Sequence, residues 1–350
     1  MDRTTLIDDI ATIAQIPSPT FAELQRLDWI ARRLEQSPGS ARRDDVGNVI
    51  WWWGDGRPSV LLTAHVDTVF PASTPISIRR EGGRMVGPGV GDNAAAIAVA
   101  IHVVENMLED GDRGSGAVAF TVCEEGLGNL RGARHACASL QPPVMIALEG
   151  HGLESVVADA LGSIRARIAI DGPGGHAWKD RGRPSAIHAL AGIAAHLLQH
   201  GDERAPVNIG LIQGGLAVNA IAGSAELVVE KRSADASELA SFVNILQALS
   251  CDRHLQLTVE ILGDRAAGVL ARDSMLLTTV MAVRGELGLQ PLIESGSTDA
   301  NAAMGLGIDA LSLGVCHGRE MHTTTESIDI DSLPLGMMQV ERVLAALLAN

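Results

Sequence analysis

The stretch L-L-T-A-H-V-D-T, residues 61–68, begins as an apolar, β-prone run and ends in two side chains able to serve a metal. Residues i and i+2 of a strand share a face, so His65 and Asp67 point the same way. His65 can then bind a cation while Asp67 accepts the proton on the other ring nitrogen and fixes the tautomer. Related patterns recur down the chain, with Asp92 in G-P-G-V-G-D-N, Glu124 and Glu125 in A-F-T-V-C-E-E-G, Glu149 in M-I-A-L-E-G and His322 in M-H-T-T-T-E. Most of these are short apolar runs that stop abruptly at an acid or an imidazole. Open α/β sheets keep their ligand crevice at strand C-termini. Several carboxylates delivered to one such edge repel each other unless cations neutralise them, so the pattern predicts a metal centre.

Each piece alone has a plainer reading. Asp92 lies between glycines and a helix start, where N-capping would suffice. Two adjacent acids at a strand end face opposite ways, so one can ligate while its neighbour works as a base, but in isolation a solvated loop pair is the more ordinary reading. The set is more specific than any member.

Outward from residues 61–68, strands are expected at 47–53, 59–64, 117–123 and 143–148, with helices at 3–16, 21–35, 94–109 and 130–139. This alternation predicts a mainly parallel sheet flanked by helices. After about residue 160 the pattern changes, and S-I-R-A-R-I-A-I alternates with period two. A strand there, a helix at 185–200, strands at 206–213 and 224–231, a helix at 235–249 and a strand at 255–261 make a β-α-β-β-α-β unit of the ferredoxin-like kind. From about 265 the earlier style returns, with helices at 273–287, 299–306 and 333–349 and strands at 291–294 and 309–313. The expected organisation is a catalytic domain, 1–160 and 265–350, interrupted by an inserted domain, 161–264.

The 350 residues carry a formal net charge of −15, which argues against nucleic acid or an anionic membrane as partner. The chain is 46% hydrophobic with mean hydropathy +0.18, so it can bury a substantial core. No apolar run reaches the ~18 residues of a membrane span, and the N-terminus reads as an amphipathic helix rather than a leader, so a cytoplasmic enzyme is expected. Cys123, Cys137, Cys251 and Cys316 show no C-x-x-C spacing, mostly sit among apolar or small residues, and are expected to be buried free thiols.

The motifs H-x-D, G-x-G-x-x-D, E-E, a lone acid 24 residues after the second Glu and a late His together resemble the dinuclear zinc metallopeptidase family. That family includes aminoacylase, glutamate carboxypeptidase, acetylornithine deacetylase, succinyl-diaminopimelate desuccinylase and peptidase T. The resemblance covers essentially the whole chain. It implies that His65 and Glu149 bind one zinc, that Glu125 and His322 bind the other, and that Asp92 bridges them. It also implies that Asp67 orients His65, that Glu124 is the general base, and that the Asp92–Asn93 peptide is cis. The inserted domain would be a dimerisation lid, with His176 of G-P-G-G-H-A-W reaching into the partner subunit's site. Asn219 and Arg232, thirteen residues apart, match positions that hold a substrate carboxylate, and Ser297 and Thr298 of G-S-T-D-A-N fall in a loop that contacts the substrate backbone. Three departures stand out. Ala94 replaces a frequent Lys, Ala222 replaces a usual Pro, and the chain has no tyrosine.

The resemblance implies hydrolysis of a small N-acyl amino acid or dipeptide-like amide, with two divalent ions, zinc above all and otherwise cobalt or manganese. An aminopeptidase or dipeptidase of peptidase-T type and a non-peptide C–N substrate such as an aromatic amine or amide stand as alternatives. A silent binding protein of the same fold is a third, disfavoured because the ligand set and the base are all present.

Overall fold

The computed structural model describes residues 3–109, 111 and 114–349. The chain divides into two compact units, Met1–Ala160 with Val269–Asn350, and Leu161–Gly268.

In the first unit a twisted sheet runs in the order Ser40–Arg43, Val49–Trp53, Gly116–Thr121, Val60–His65, Val144–Glu149, Asp309–Gly314, Ser155–Ala160, with Leu292–Gly296 also paired to Ser155–Ala160. Its centre is parallel. Val60–His65 pairs in parallel with both Gly116–Thr121 and Val144–Glu149, and Val144–Glu149 pairs in parallel with Asp309–Gly314. Strands buried on both faces need apolar side chains at nearly every position, and these sequences supply them. Val60, Leu62 and Ala64 pack into one core, with the helices Arg3–Gln15, Ala96–Glu109 and Leu333–Leu348. Leu61 points into the other, with Ala136, Cys137, Ala300 and Ala303 of the helices Arg131–Leu140 and Ala300–Met304. Each fully buried Leu or Val contributes ~1.5–3 kcal/mol.

The Trp51-Trp52-Trp53 run follows the same period. Trp51 and Trp53 belong to the first core, and Trp52 packs against the second under the Arg42 guanidinium, 4.9 Å from its ring centroid. These rings are structural.

Register carries the site residues to one edge. His65 stands beside Thr121 at the C-terminal end of its strand, and Glu149 stands beside Gly314. The E-E pair departs from expectation. Its strand stops at Thr121, and Cys123 takes a left-handed φ of 59° that turns Glu124 and Glu125 out of the sheet. The helix expected from 94 begins as a wide turn over Val90–Ala95, with Asp92 and Asn93 non-helical, before the regular helix Ala96–Glu109. A small antiparallel sheet that the sequence does not signal joins Arg79–Glu81, Arg84–Val86, Ser327–Asp329 and Gly318–Arg319. Its strands are too short for an alternation to show, yet they tie the chain around His322 to the chain just before Asp92.

In the second unit the four-stranded antiparallel sheet runs Val207–Gly214, Ser224–Ser233, Gly162–Asp171, Gln256–Arg265, with the helices Ala186–Leu198 and Ala236–Ala248 packed on it. Ile164, Ala166, Ile168 and Ile170 alternate into that core, as period two requires.

Candidate active site

Asp92 is the centre of the cluster. Its Oδ1 lies 2.9 Å from His65 Nε2 and its Oδ2 lies 2.9 Å from His322 Nε2, so one carboxylate faces both imidazoles. Glu149 Oε2 flanks the first histidine at 3.6 Å, and Glu125 Oε1 flanks the second at 3.3 Å. The structure thus gathers all five residues expected as ligands, in two groups that share Asp92. The Asp92–Asn93 peptide is cis, as the resemblance implied.

The electrostatics follow from burial and crowding. Desolvation works to lower the His65 pKa, but Asp67, Asp92 and Glu149 overcome it and hold the imidazole well above its ordinary value. His322 is pushed up to about 10 by hydrogen bonding to Asp92 and then Glu125. Burial opposes the charge on Asp92, yet the two histidines hold its carboxyl far below the usual range. Glu149 moves the other way, its pKa raised chiefly by burial. The cluster is therefore built around positive charge placed between carboxylates. Divalent cations fit this donor set. His65, Asp92 and Glu125 offer ligand atoms within 4.8 Å of one another. Imidazole nitrogens with carboxylate oxygens suit zinc, and carboxylate-rich sets also suit manganese.

Asp67 is fully buried and serves more partners than the sequence indicates. Its Oδ1 accepts from the Glu124 N–H at 2.9 Å, and its Oδ2 accepts from the Glu125 N–H at 2.9 Å and the Thr20 hydroxyl at 2.8 Å. His65 Nδ1 is closer to the Asp67 backbone oxygen, at 3.0 Å, than to the carboxylate, at 3.7 Å. The ring of His65 is thus held by the Asp67 main chain rather than by its carboxylate as expected, while the carboxylate anchors the E-E turn. Glu124 itself is 6% exposed, at the crevice edge.

Several further residues support the site. Glu23 Oε1 accepts from the N–H groups of Phe21 and Cys123, at 2.9 and 3.1 Å, and so pins the N-terminal loop to the turn before Glu124. Arg26, 1% exposed, donates to the carbonyls of Val66 and Ile16; burial lowers its pKa to about 10 against the pull of Asp67, Asp92 and Glu326. Asp299 is buried with its pKa raised by desolvation, and accepts from the Thr121 hydroxyl at 2.6 Å. Next to it, Thr298 is half-buried with its N–H on Asn301 Oδ1 and its hydroxyl beside that of Ser312, and Ser297 is half-buried one residue earlier. Glu326 and His151 form a buried pair beside Asp92. Ser297 and Thr298 were expected from G-S-T-D-A-N and His151 is signalled only by its place two residues after Glu149, whereas Glu23, Arg26 and Glu326 carry no local signal.

Within the second unit, His176 and Asn219 come together. Gly175–His176 pairs with Ala220–Ile221, and the Ala177 N–H donates to the Asn219 carbonyl at 3.0 Å. His176 Nδ1 accepts from the backbone N–H groups of Trp178 and Lys179, which leaves the ring proton on Nε2. Arg232 lies elsewhere. It is eight residues beyond Ser224 on the strand Ser224–Ser233, about 26 Å along an extended chain, with Nε on Glu230.

The profile of Peptidase family M20/M25/M40 matches residues 61–346, and the chain belongs to that family. A probable carboxypeptidase of Aspergillus clavatus is 28% identical over 255 residues, 63% of this chain and 60% of that protein. The chain spans 60 to 65% of the length of this and two further Aspergillus carboxypeptidase relatives. Acetylornithine deacetylase of Myxococcus xanthus is 26% identical over 93% of this chain and 91% of its own length. Among solved structures, a tripeptidase of Staphylococcus aureus superposes with a TM-score of 0.80 over 100% of both chains at 23% identity, which establishes the shared fold.

Proposed function

We propose that this protein is a zinc-dependent, homodimeric hydrolase that cleaves a small N-acyl amino acid or dipeptide-like amide. The observation that carries the reading is Asp92, one carboxylate placed 2.9 Å from each of two histidines that are 257 positions apart in sequence, with a further acid beside each. His65 and Glu149 would hold one ion, His322 and Glu125 the other, and Asp92 both. When bound, such a pair supplies water activation near neutral pH and polarisation of the amide carbonyl.

The remaining chemistry belongs to the chain. Glu124, whose backbone is clamped by Asp67, takes the proton of the attacking water and returns it to the leaving nitrogen. Asp67 keeps His65 and the E-E turn in register. His176, with its proton on Nε2, is a donor suited to a developing oxyanion, and Asn219 travels with it on the same ribbon. We assign that pair to the partner subunit's site. Arg232, with a guanidinium that forks onto carboxylates, would hold a substrate carboxylate, and Ser297 and Thr298 its backbone. The net charge of −15 and the absence, among the described residues, of any helix long and apolar enough to cross a membrane favour a small-molecule substrate and a cytoplasmic setting. The deacetylase and carboxypeptidase relatives favour the deacylase reading over an aminopeptidase.

The test is a hydrolysis screen over N-acyl amino acids and dipeptides with zinc, cobalt and manganese, comparing blocked and free amines. Turnover that requires a free amine would replace the deacylase reading with the aminopeptidase one. Glu124→Gln should keep its metals and lose ~10²–10⁴-fold in kcat; a variant retaining more than about a tenth of wild-type rate would place the base elsewhere. Mixing His176→Ala with Glu124→Gln subunits should restore activity, because one site of each heterodimer then draws both intact groups. Verified heterodimers without activity would remove His176 from the partner's site.

A further inference from the structure

We propose that Glu326, together with His151, is a positioning pair for the metal centre: it grips the backbone of residues 89–92 so that the Asp92 carboxylate stands between the two histidines. The inference rests on the reading of that cluster as a two-ion site.

Glu326 is fully buried, and its carboxylate is enclosed by hydrogen-bond donors. Oε2 accepts from the Gly89 N–H at 2.7 Å. Oε1 accepts from the Gly91 N–H at 2.9 Å, the Asp92 N–H at 2.7 Å and His151 Nε2 at 2.7 Å. A buried carboxylate is expensive to keep unless its oxygens are filled, and here three of four donors are main-chain groups of one ligand-bearing loop. That loop is not a regular helix at Asp92, where φ is −96° and ψ is 88°, and its N–H groups at Gly89, Gly91 and Asp92 go to Glu326.

The imidazole has had space cleared for it. A Cβ at Gly91 would meet His151 Nε2 at 2.2 Å and Glu326 Oε1 at 2.8 Å, and one at Gly318 would meet His151 Nδ1 at 1.8 Å. Gly150 lies so close to the Gly91 carbonyl that a Cβ there would sit 1.8 Å from its oxygen. The pair therefore joins three ligand-bearing segments: Glu326, four residues after His322, holds the N–H groups of Gly91 and Asp92 and the ring of His151, two residues after Glu149. Groups that hold ligands in this way govern metal affinity, and losing one typically costs about 10–100-fold.

Glu326→Gln is nearly isosteric, removes the charge, and forces an NH₂ group against at least one backbone N–H. The test titrates Co(II) into metal-free wild type, Glu326→Gln and His151→Gln, following the visible spectrum well below each melting temperature. Glu326→Gln should bind its weaker cobalt ion about 10–100-fold less tightly, with an altered spectrum and wild-type far-UV circular dichroism. Its kcat should fall at limiting metal and recover at saturating metal, with KM unmoved. His151→Gln, which leaves the backbone donors in place, should shift in the same direction by less. A lowered melting temperature with unchanged cobalt affinity and spectrum would show a purely structural role and overturn the proposal. Should Glu326→Gln fail to fold, His151→Gln decides alone, and wild-type affinity there overturns it equally. Wild type that takes up no cobalt pair would bring down the two-ion reading and this inference together; a wild type that binds two ions no more tightly than the variants do brings down this inference only.

Discussion

Asp67→Asn isolates the anchor of the site from its ligands. The substitution keeps volume and shape but converts one carboxylate oxygen to NH₂. In the native structure Oδ1 takes the Glu124 N–H and Oδ2 takes the Glu125 N–H and the Thr20 hydroxyl, all at 2.8–2.9 Å, and both backbone bonds are buried. Whichever way the amide turns, one backbone N–H of the E-E turn faces another N–H. A lost charge-assisted hydrogen bond costs about 1.5–3 kcal/mol, and the orphaned buried donor adds about 1–3, so a destabilisation of about 3–5 kcal/mol is expected. That is a large share of the ~5–15 kcal/mol available to a folded domain. The loss should be accompanied by a fall in metal affinity of about 10–100-fold, since His65, Glu124 and Glu125 all lean on Asp67. Urea unfolding of metal-free protein gives the first quantity, and metal titration of the folded variant gives the second. Unfolding within about 1 kcal/mol of wild type would show that water or backbone movement satisfies the turn, and that Asp67 is not its anchor.

Asp92→Ala should lose both ions in dialysed protein, measured by elemental analysis, because it removes the ligand common to both groups; retention of two tightly bound ions would contradict the shared-carboxylate geometry. Metal-free protein should lose stability as pH rises. The His322 pKa is raised to about 10 against an ordinary 6.5, so its contribution is fully present below about 6.5 and is lost as pH passes through about 10. Metal loading should improve over the same interval, since ions displace those protons, and melting curves with and without zinc should diverge with pH; parallel curves would refute it. Phe21 adopts a left-handed φ of 73° while 61% exposed. Phe21→Gly should therefore be more stable than Phe21→Ala by about 1 kcal/mol in urea, and the reverse order would remove the strain.

What the chain reveals on its own is whatever depends on neighbours in sequence. Continuous apolar runs placed His65 and Glu149 at strand ends, and the period-two alternation in Ile164–Ile170 marked the second unit, because pleating and hydrophobic patterning are local properties. The short strands Arg84–Val86 and Ser327–Asp329 were not legible, being three residues each with no room for a pattern. Nor was the site's support. Asn219 and Arg232 are close in sequence but drawn apart by an extended strand, whereas Glu326 and Gly89 are 237 residues apart and in hydrogen-bond contact. Glu23, Arg26 and Glu326 look in sequence like ordinary surface charges, and Asp67 gave no sign of the two backbone groups it holds beyond His65. Which buried acid receives which backbone N–H is settled only when distant segments pack, since a charge taken out of water must find its donors wherever the fold puts them.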